Sequence, residues 1–184
     1  MKYFLLGIIS TLIIISLVAA QDKDGKKPKV KDDSIVIDST QINWYLYDAG
    51  LKLAKKNGKH ILVNFTAKWC GYCKRMEKET FSNAEIIKYI NTNFVSIKVD
   101  GDSPNELNIN GYKITEQNLA RSEYQITGYP TFWFLQSNGE RIGPAPGYWP
   151  SNRFFDILSF VKDDLHKKMT FDEYVKSGGR KRQN

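Results

Sequence analysis

Residues 65–74 read FTAKWCGYCK and contain both cysteines of the 184-residue chain, Cys70 and Cys73. A compact apolar run, Ile61–Phe65, precedes them, and its length and composition predict a buried central strand. We predict that a helix begins directly after Cys70, with Cys73 one turn further on and facing the body of the protein. This stretch therefore predicts a strand, a tight connection and a helix that carries two thiols at its N-terminus.

Two thiols in this arrangement suit thiol–disulfide exchange, which needs a thiolate that attacks and a second thiol that releases the product. The unpaired N–H groups and the dipole of the helix favour an anion at Cys70. Lys68 and Lys74 add positive charge nearby. A disulfide between positions three apart closes a loop too small to stabilise the fold much. We predict a redox disulfide, with Cys70 as the attacking and Cys73 as the resolving cysteine.

The alternative for a Cys-x-x-Cys pair is a structural zinc site, which needs four ligands. The chain has no second cysteine pair, and its two histidines, His60 and His166, are far apart in sequence. His60 is predicted at a strand edge and His166 near the end of a helix. We therefore expect neither a metal nor a cofactor.

The rest of the first half predicts further helices and strands. Residues 34–37 form a possible short first strand, and apolar residues recur at helical spacing over 43–56, with Gly58 ending that helix. Ser82, followed by a glutamate three residues later, predicts a capping box at the start of another helix. Alternation over 94–99 predicts a strand. Strands separated by helices favour a parallel core.

The second half adds an antiparallel pair. Residues 101–114 are rich in Asn, Gly, Asp and Pro and predict a loop, and a helix is expected over 116–124. A strand over 131–135 and a proline-containing edge strand over 141–148 flank the turn residues Ser-Asn-Gly. Ser151 and Thr170 are expected to cap the last two helices. The predicted fold is therefore α/β, with a mixed central sheet.

Two motifs in this chain resemble the hallmarks of the thioredoxin superfamily: the segment 65–74 and the Tyr129-Pro130-Thr131 stretch before an apolar strand. The resemblance covers roughly 43–165. Residues 58–65 and 77–82 are most similar to one branch, which contains exported thioredoxin-like proteins and the C-terminal periplasmic domain of the Dsb-type thiol:disulfide interchange protein. The resemblance implies a thioredoxin-like fold, with helices on both faces of the sheet.

The same resemblance implies site residues beyond the cysteines. It implies that Pro130 follows a cis peptide bond and faces the cysteines, and that the backbone around Tyr129 pairs with the substrate chain. Trp69 would be a partly exposed residue at the rim, so Trp69, Tyr129 and Pro130 are the expected substrate-binding residues. The alternative role for Trp69 and Tyr129, and also for Tyr72, is plain packing.

Two departures from the family pattern are visible. Thioredoxins place a buried aspartate on the strand before the active site, and the matching residue here is Asn64, which does not titrate. The lysine that accompanies that aspartate is expected to be missing, because Ser96 falls near its place. The dipeptide between the cysteines, Gly71-Tyr72, matches that of periplasmic disulfide isomerases rather than the Gly-Pro of thioredoxins.

Three functions remain open at this point. The leading one is an enzyme that reduces protein disulfides or relays electrons between protein thiols and disulfides, with an unidentified redox partner protein. The second is a disulfide isomerase or oxidase, which Gly71-Tyr72 favours. The third is a redox-inert module that binds peptides in the groove at Tyr129. We expect the protein to act as a monomer.

The N-terminus predicts export. Lys2 precedes an apolar run over 4–17, and Val18-Ala19-Ala20 offers small residues for cleavage, so residues 1–20 are predicted as a signal peptide. An uncleaved membrane anchor is the alternative, and only then would the protein contact a membrane. Residues 21–34 are predicted as a flexible linker, 35–168 as the thioredoxin-like domain, and 169–184 as a short helix and basic tail.

The charge distribution argues against nucleic-acid binding. The formal net charge is +7, but three of the positive charges lie together at 180–182 and another is in the leader. The body of the chain is nearly neutral and shows no cluster of basic and stacking residues of the kind that nucleic acid requires.

Overall fold

A computed structural model describes residues 40–180 of the chain. The signal peptide predicted over 1–20, the linker predicted over 21–34 and the strand predicted over 34–37 lie outside these residues. The described part contains seven strands and six helices in this order: β1 (Trp44–Tyr45), α1 (Tyr47–Asn57), β2 (His60–Thr66), α2 (Gly71–Glu79), α3 (Ala84–Asn93), β3 (Phe94–Asp100), β4 (Glu106–Ile109), β5 (Tyr112–Thr115), α4 (Glu116–Asn118), β6 (Thr131–Leu135), β7 (Arg141–Pro146), α5 (Ser151–Lys162) and α6 (Phe171–Lys176).

Five of these strands form the central sheet, in the order β1-β3-β2-β6-β7. β1 and β2 both run parallel to β3, whereas β6 is antiparallel to β2 and β7 is antiparallel to β6. β2 therefore lies in the middle of a mixed sheet, and its residues 61–65 are all buried. This confirms the predicted central strand, the parallel core and the antiparallel pair at the end.

Helices cover both faces of the sheet, as the thioredoxin-like fold requires. One face carries Leu62 and Phe132 and packs against α2, α3 and α5. The other carries Val63 and Phe65 and packs against α1 and against a π-helical turn, Leu119–Glu123, that continues α4. Because neighbouring residues of a strand point to opposite faces, one strand supplies both hydrophobic cores. No helix within residues 40–180 is long and apolar enough to cross a bilayer.

The helix predicted over 43–56 begins later than expected. Trp44 and Tyr45 form β1, which pairs with Ser96 and Ile97 of β3, and α1 begins only at Tyr47. The predicted end is correct, because Gly58 adopts the left-handed conformation (φ 68°) that closes a helix. Pairing with a distant strand has here overridden a helical pattern.

The loop predicted over 101–114 contains a hairpin. β4 and β5 pair antiparallel around Asn110 and Gly111, both of which have positive φ (54° and 93°). Leu107 and Ile114 of the hairpin are buried in the core beside α1. An Asn-Gly pair between apolar residues is a strong signal of a two-residue hairpin turn, so this hairpin was predictable from the sequence.

Two predicted caps are displaced by one residue. Asn83, and not Ser82, caps α3 by accepting hydrogen bonds from the N–H groups of Glu85 and Ile86. Ser151 is the first residue inside α5 rather than its cap. The third predicted cap is correct, because Thr170 forms a complete capping box at the start of α6.

Candidate active site

A disulfide joins Cys70 and Cys73 at the point where β2 has ended and α2 begins. Their Cα atoms are 5.3 Å apart, within the usual range for a disulfide. Cys70 is the N-cap of α2, and its Sγ accepts a hydrogen bond from the backbone N–H of Cys73 at 3.0 Å. The first turn of α2 contains no acidic residue, so no side-chain carboxylate of that turn competes for the positive end of the helix.

Burial does not distinguish the two cysteines. Cys70 is 2% exposed and Cys73 is 7% exposed, so both are covered in the oxidised state. The difference between them lies in their contacts. Cys70 Sγ accepts the hydrogen bond from the backbone, whereas Cys73 belongs to the buried side of α2 together with Met76 and Thr80.

The loop before β6 faces the disulfide. The Tyr129–Pro130 peptide bond is cis, as the family resemblance implied. The Tyr129 side chain packs against the small cluster formed by the two cysteines and Ala67. Its ring lies edge-on to the ring of Trp69, with centroids 5.9 Å apart, and Trp69 is 70% exposed. The structure thus places Cys70, Cys73, Trp69 and Tyr129 together, with Pro130 next to Tyr129 in the chain.

Polar groups surround the ring pair of Trp69 and Tyr129. The Trp69 indole donates a hydrogen bond to Asp102, which also accepts one from Arg121. Burial and the negative charge of Asp102 raise the pKa of the Tyr129 hydroxyl. Gly101 lies against the hydroxyl end of Tyr129, where a Cβ atom would overlap the phenol, so a larger residue would displace that side chain.

A short strap, residues 147–151, connects the Pro130 loop to α2. The Gly147 N–H donates to the Pro130 carbonyl at 2.8 Å. The Thr80 hydroxyl donates to the Trp149 carbonyl at 2.7 Å, and the Ser151 hydroxyl donates to the Glu79 carbonyl at 2.9 Å. The strap therefore ties the C-terminal half of the cysteine-bearing helix to the loop that faces its N-terminus.

The surroundings of Asn64 correct one expectation. Asn64 is 3% exposed, and its Oδ1 atom has no hydrogen-bond partner. Its neighbour in register on β3 is Lys98 and not Ser96, so a lysine stands beside this position after all. The Lys98 ammonium forms an ion pair with Glu77 of α2 at 2.7 Å.

A cavity of about 480 Å³ adjoins the disulfide at the carboxyl ends of β1, β3 and β2. Cys73, Glu77 and Lys98 are among its lining residues. The cavity thus brings a carboxylate and an ammonium group to the same space that reaches the resolving cysteine. Within residues 40–180, no group of three or more potential ligands is suited to hold a metal ion.

Sequence reasoning missed four residues around the disulfide: Gly101, Asp102, Arg121 and the correct lysine, Lys98. Lys98 could have been found by matching the C-terminal residues of the two parallel strands, Thr66 of β2 with Asp100 of β3, which pairs Asn64 with Lys98. Asp102 and Arg121 carry no local signal, since Asp102 accepts from Trp69 across 33 positions of sequence and Arg121 donates to Asp102 across 19.

Comparison with protein families shows a match over residues 47–162 to a family described as "Thioredoxin-like domain". Among curated proteins, a protein disulfide-isomerase from Oryctolagus cuniculus is 31% identical over 104 residues, which cover 56% of this chain and 18% of that protein. The thiol:disulfide interchange protein DsbD from Campylobacter jejuni is 33% identical over 114 residues, 61% of this chain and 16% of DsbD. The chain therefore matches less than a fifth of the length of either relative.

Among solved structures, a thioredoxin from Thermus thermophilus superposes with a TM-score of 0.55 at 31% sequence identity. The superposition covers 66% of this chain and 87% of the thioredoxin. This similarity supports the conclusion that the sheet and its flanking helices have the thioredoxin fold.

Proposed function

Because the chain belongs to the thioredoxin-like family, we propose that it is an exported thiol–disulfide oxidoreductase that reduces disulfides of partner proteins through Cys70 and Cys73. The observation that carries the proposal is the position of the disulfide: Cys70 caps α2 and accepts an N–H donor, opposite the Pro130 loop. The names of the two relatives, a disulfide-isomerase and a thiol:disulfide interchange protein, agree with this chemistry.

The reaction proceeds in two exchanges. In the reduced protein, the Cys70 thiolate attacks one sulfur of the partner's disulfide, forms a mixed disulfide and releases the first partner thiolate, which takes up a proton. Cys73 then loses its proton and attacks Cys70 Sγ, which releases the second partner thiol. Two electrons pass to the partner, and Cys70 and Cys73 end as a disulfide. A dithiol protein upstream would return them to the reduced state.

Glu77 provides a route for the Cys73 proton that does not need a carboxylate at position 64. Its carboxylate lines the cavity that reaches Cys73 and is held there by Lys98. A water molecule in that cavity would connect the thiol to the carboxylate. General acid–base help of this kind typically accelerates a proton transfer by about 100-fold or more.

Turnover assays test the proposal. We expect the residues 21–184 protein to catalyse reduction of insulin disulfides by dithiothreitol, and Cys70→Ser to abolish this activity. Cys73→Ser should accumulate the mixed disulfide with the substrate, which is visible by non-reducing electrophoresis. A Cys70→Ser variant that retains full activity would contradict the assignment of the attacking cysteine, and an inactive native protein would favour a redox-inert binding module.

An isomerase or oxidase is the second candidate, and the specific observation in its favour is the Gly71-Tyr72 dipeptide. The two functions differ in reduction potential, because strong oxidants lie about 150 mV above thioredoxin. Equilibration of the protein with defined glutathione or dithiothreitol buffers measures this potential. A value near that of thioredoxin would support the reductase.

Export is the remaining part of the proposal, and the sequence supports it. Lys2, the apolar run over 4–17 and the small residues 18–20 have the order of a secretory signal. N-terminal sequencing of protein recovered from the extracytoplasmic fraction tests it. Mature protein that begins at Gln21 would support cleavage, whereas an intact Met1 terminus in the membrane fraction would support an anchor.

A further inference from the structure

Around the disulfide, the carboxylate side chains have hydrogen-bond partners within the described part of the protein, whereas several lysine side chains have none there. The carboxylates there accept hydrogen bonds from within the chain: Glu77 from Lys98, Glu79 from Tyr148 and Arg75, Asp102 from Trp69 and Arg121, Asp100 from the N–H of Asp102, and Glu116 from the N–H of Asp100. By contrast, the ammonium groups of three exposed lysines, Lys68, Lys74 and Lys78, donate no hydrogen bond and form no ion pair with any residue in the described range 40–180.

Two of these lysines stand at the cavity beside Cys73. Lys68 and Lys74 both line it, together with the apolar side chains of Trp44, Leu46 and Ala67. The carboxylates that also line it, Glu77, Asp100 and Glu116, are those that already accept hydrogen bonds from within the chain. Leu46 is 66% exposed and is one of five large hydrophobic residues within 40–180 that are exposed. Lys78 follows Lys74 by one helical turn, and like charges at that spacing repel each other. We call this cavity the lysine-rimmed pocket.

We propose that the lysine-rimmed pocket receives an apolar side chain of the partner protein, and that carboxylates next to that side chain pair with Lys68 and Lys74. The proposal rests on the proposed function, because it names the chemistry of the disulfide substrate. The partner segment it describes is acidic, contains a Leu-like residue and lies near the partner's reactive cysteine.

The size and position of the charged patch favour a short protein segment over an extended polyanion. Lys68, Lys74 and Lys78 lie just before α2 and on its exposed side, from two residues before Cys70 to eight residues after it. Exposed charges of this kind mainly accelerate encounter with a complementary partner, and salt screens their effect. An apolar pocket at the same place supplies the contact that salt does not screen.

The test uses two synthetic peptide disulfides that differ only beside the cysteine, one with Glu-Leu-Glu and the other with Lys-Leu-Lys. The protein is first reduced with dithiothreitol, which is then removed. Each turnover oxidises the two cysteines to a disulfide and transfers two electrons and two protons, so that the peptide disulfide becomes two thiols. We expect the acidic peptide to react about tenfold faster than the basic one at low salt, and the ratio to approach one at high salt.

Two variants assign the preference to the pocket. In Lys68→Gln/Lys74→Gln the ratio of the two rates should approach one at all salt concentrations; this ratio cancels any change in the intrinsic reactivity of Cys70. The matched control is Lys52→Gln/Lys55→Gln, which removes two exposed lysines of α1 and should leave the ratio unchanged. Leu46→Ser should slow the acidic Leu peptide but not the same peptide with Gly in place of Leu.

The outcomes separate this proposal from the function on which it rests. Equal rates for the two peptides, with rapid reduction of a small uncharged disulfide such as hydroxyethyl disulfide, would overturn the partner chemistry alone. Failure to reduce any of the three disulfides would overturn the proposed function and this inference with it. Lysine-dependent binding to vesicles of anionic phospholipid, without a peptide preference, would replace the protein partner by a membrane.

Discussion

At the scale of single residues, Glu77 is the side chain that we propose as the acceptor of the Cys73 proton. It lines the cavity that Cys73 reaches, and its ion pair with Lys98 holds it there. We expect Glu77→Gln to slow resolution of the mixed disulfide about 100-fold at pH 7, since amides do not accept protons. The loss should disappear at high pH, where Cys73 ionises without help.

Glu79→Gln is the matched control for that experiment. Glu79 lies on the same helix and also carries a cation contact, from Arg75, but it does not line the cavity. Stopped-flow measurement of mixed-disulfide decay between pH 6 and 10 compares the two variants. Equal slowing by both would show that α2 has lost local structure rather than a proton acceptor.

At the scale of elements, the strap 147–151 stabilises α2 through Thr80, which is fully buried and donates a hydrogen bond to the Trp149 carbonyl. Thr80→Val keeps the shape but leaves that carbonyl without its donor, so we expect a loss of about 1–2 kcal/mol in the free energy of unfolding. Ser82→Ala, which removes an exposed hydroxyl bonded to the Lys78 carbonyl, should cost less than about 0.5 kcal/mol. Urea unfolding of both variants measures the difference.

A second prediction concerns the turn Leu165–Lys167 and the start of β2. Burial lowers the pKa of the His166 imidazole, and the hydrogen bond from Lys167 and the contact with His60 lower the pKa of Asp164. A histidine whose pKa is lowered in the folded state takes up its proton at a lower pH than it does in the unfolded state. Stability is therefore retained above the unfolded pKa near 6.5 and is lost as pH falls below it.

His166→Asn should reduce this loss. We expect the melting temperature of the native protein to fall between pH 7.5 and 5.5, and that of the variant to fall less over the same interval. A variant whose melting temperature falls as steeply as that of the native protein would show that other groups determine the acid sensitivity in this interval.

The elements also show what the sequence could and could not predict. β2, α2, β6 and the cysteine pair follow from short contiguous patterns, and the structure agrees with them. β1 was missed because Trp44 fits a helical spacing with Tyr47, whereas the strand conformation of Trp44 and Tyr45 depends on pairing with β3, about 50 positions away. The contacts of Lys98 and Asp102 likewise depend on strand register and tertiary packing, which local patterns do not contain.

At the scale of the whole molecule, the two edges that the central sheet has within residues 40–180 resist addition of further strands. β1 has only two residues, and β7 contains Pro144 and Pro146, which lack N–H donors. We expect the mature protein to remain monomeric at high concentration. Light scattering should report concentration-dependent association for Pro144→Val/Pro146→Val, and a dimer of the native protein would contradict the prediction.

The hairpin β4–β5 offers a practical use of the fold. Its tip, Asn110-Gly111, lies beside the Asn138-Gly139 turn, near the end of the sheet where β2 begins, whereas Cys70 follows the other end of β2. Exposed tips closed by their own turn are the sites at which proteins accept inserted sequence most readily. An affinity tag or fluorescent reporter inserted between Asn110 and Gly111 would therefore show where the protein is in living cells. It would leave the disulfide, the Pro130 loop and the lysine-rimmed pocket uncovered.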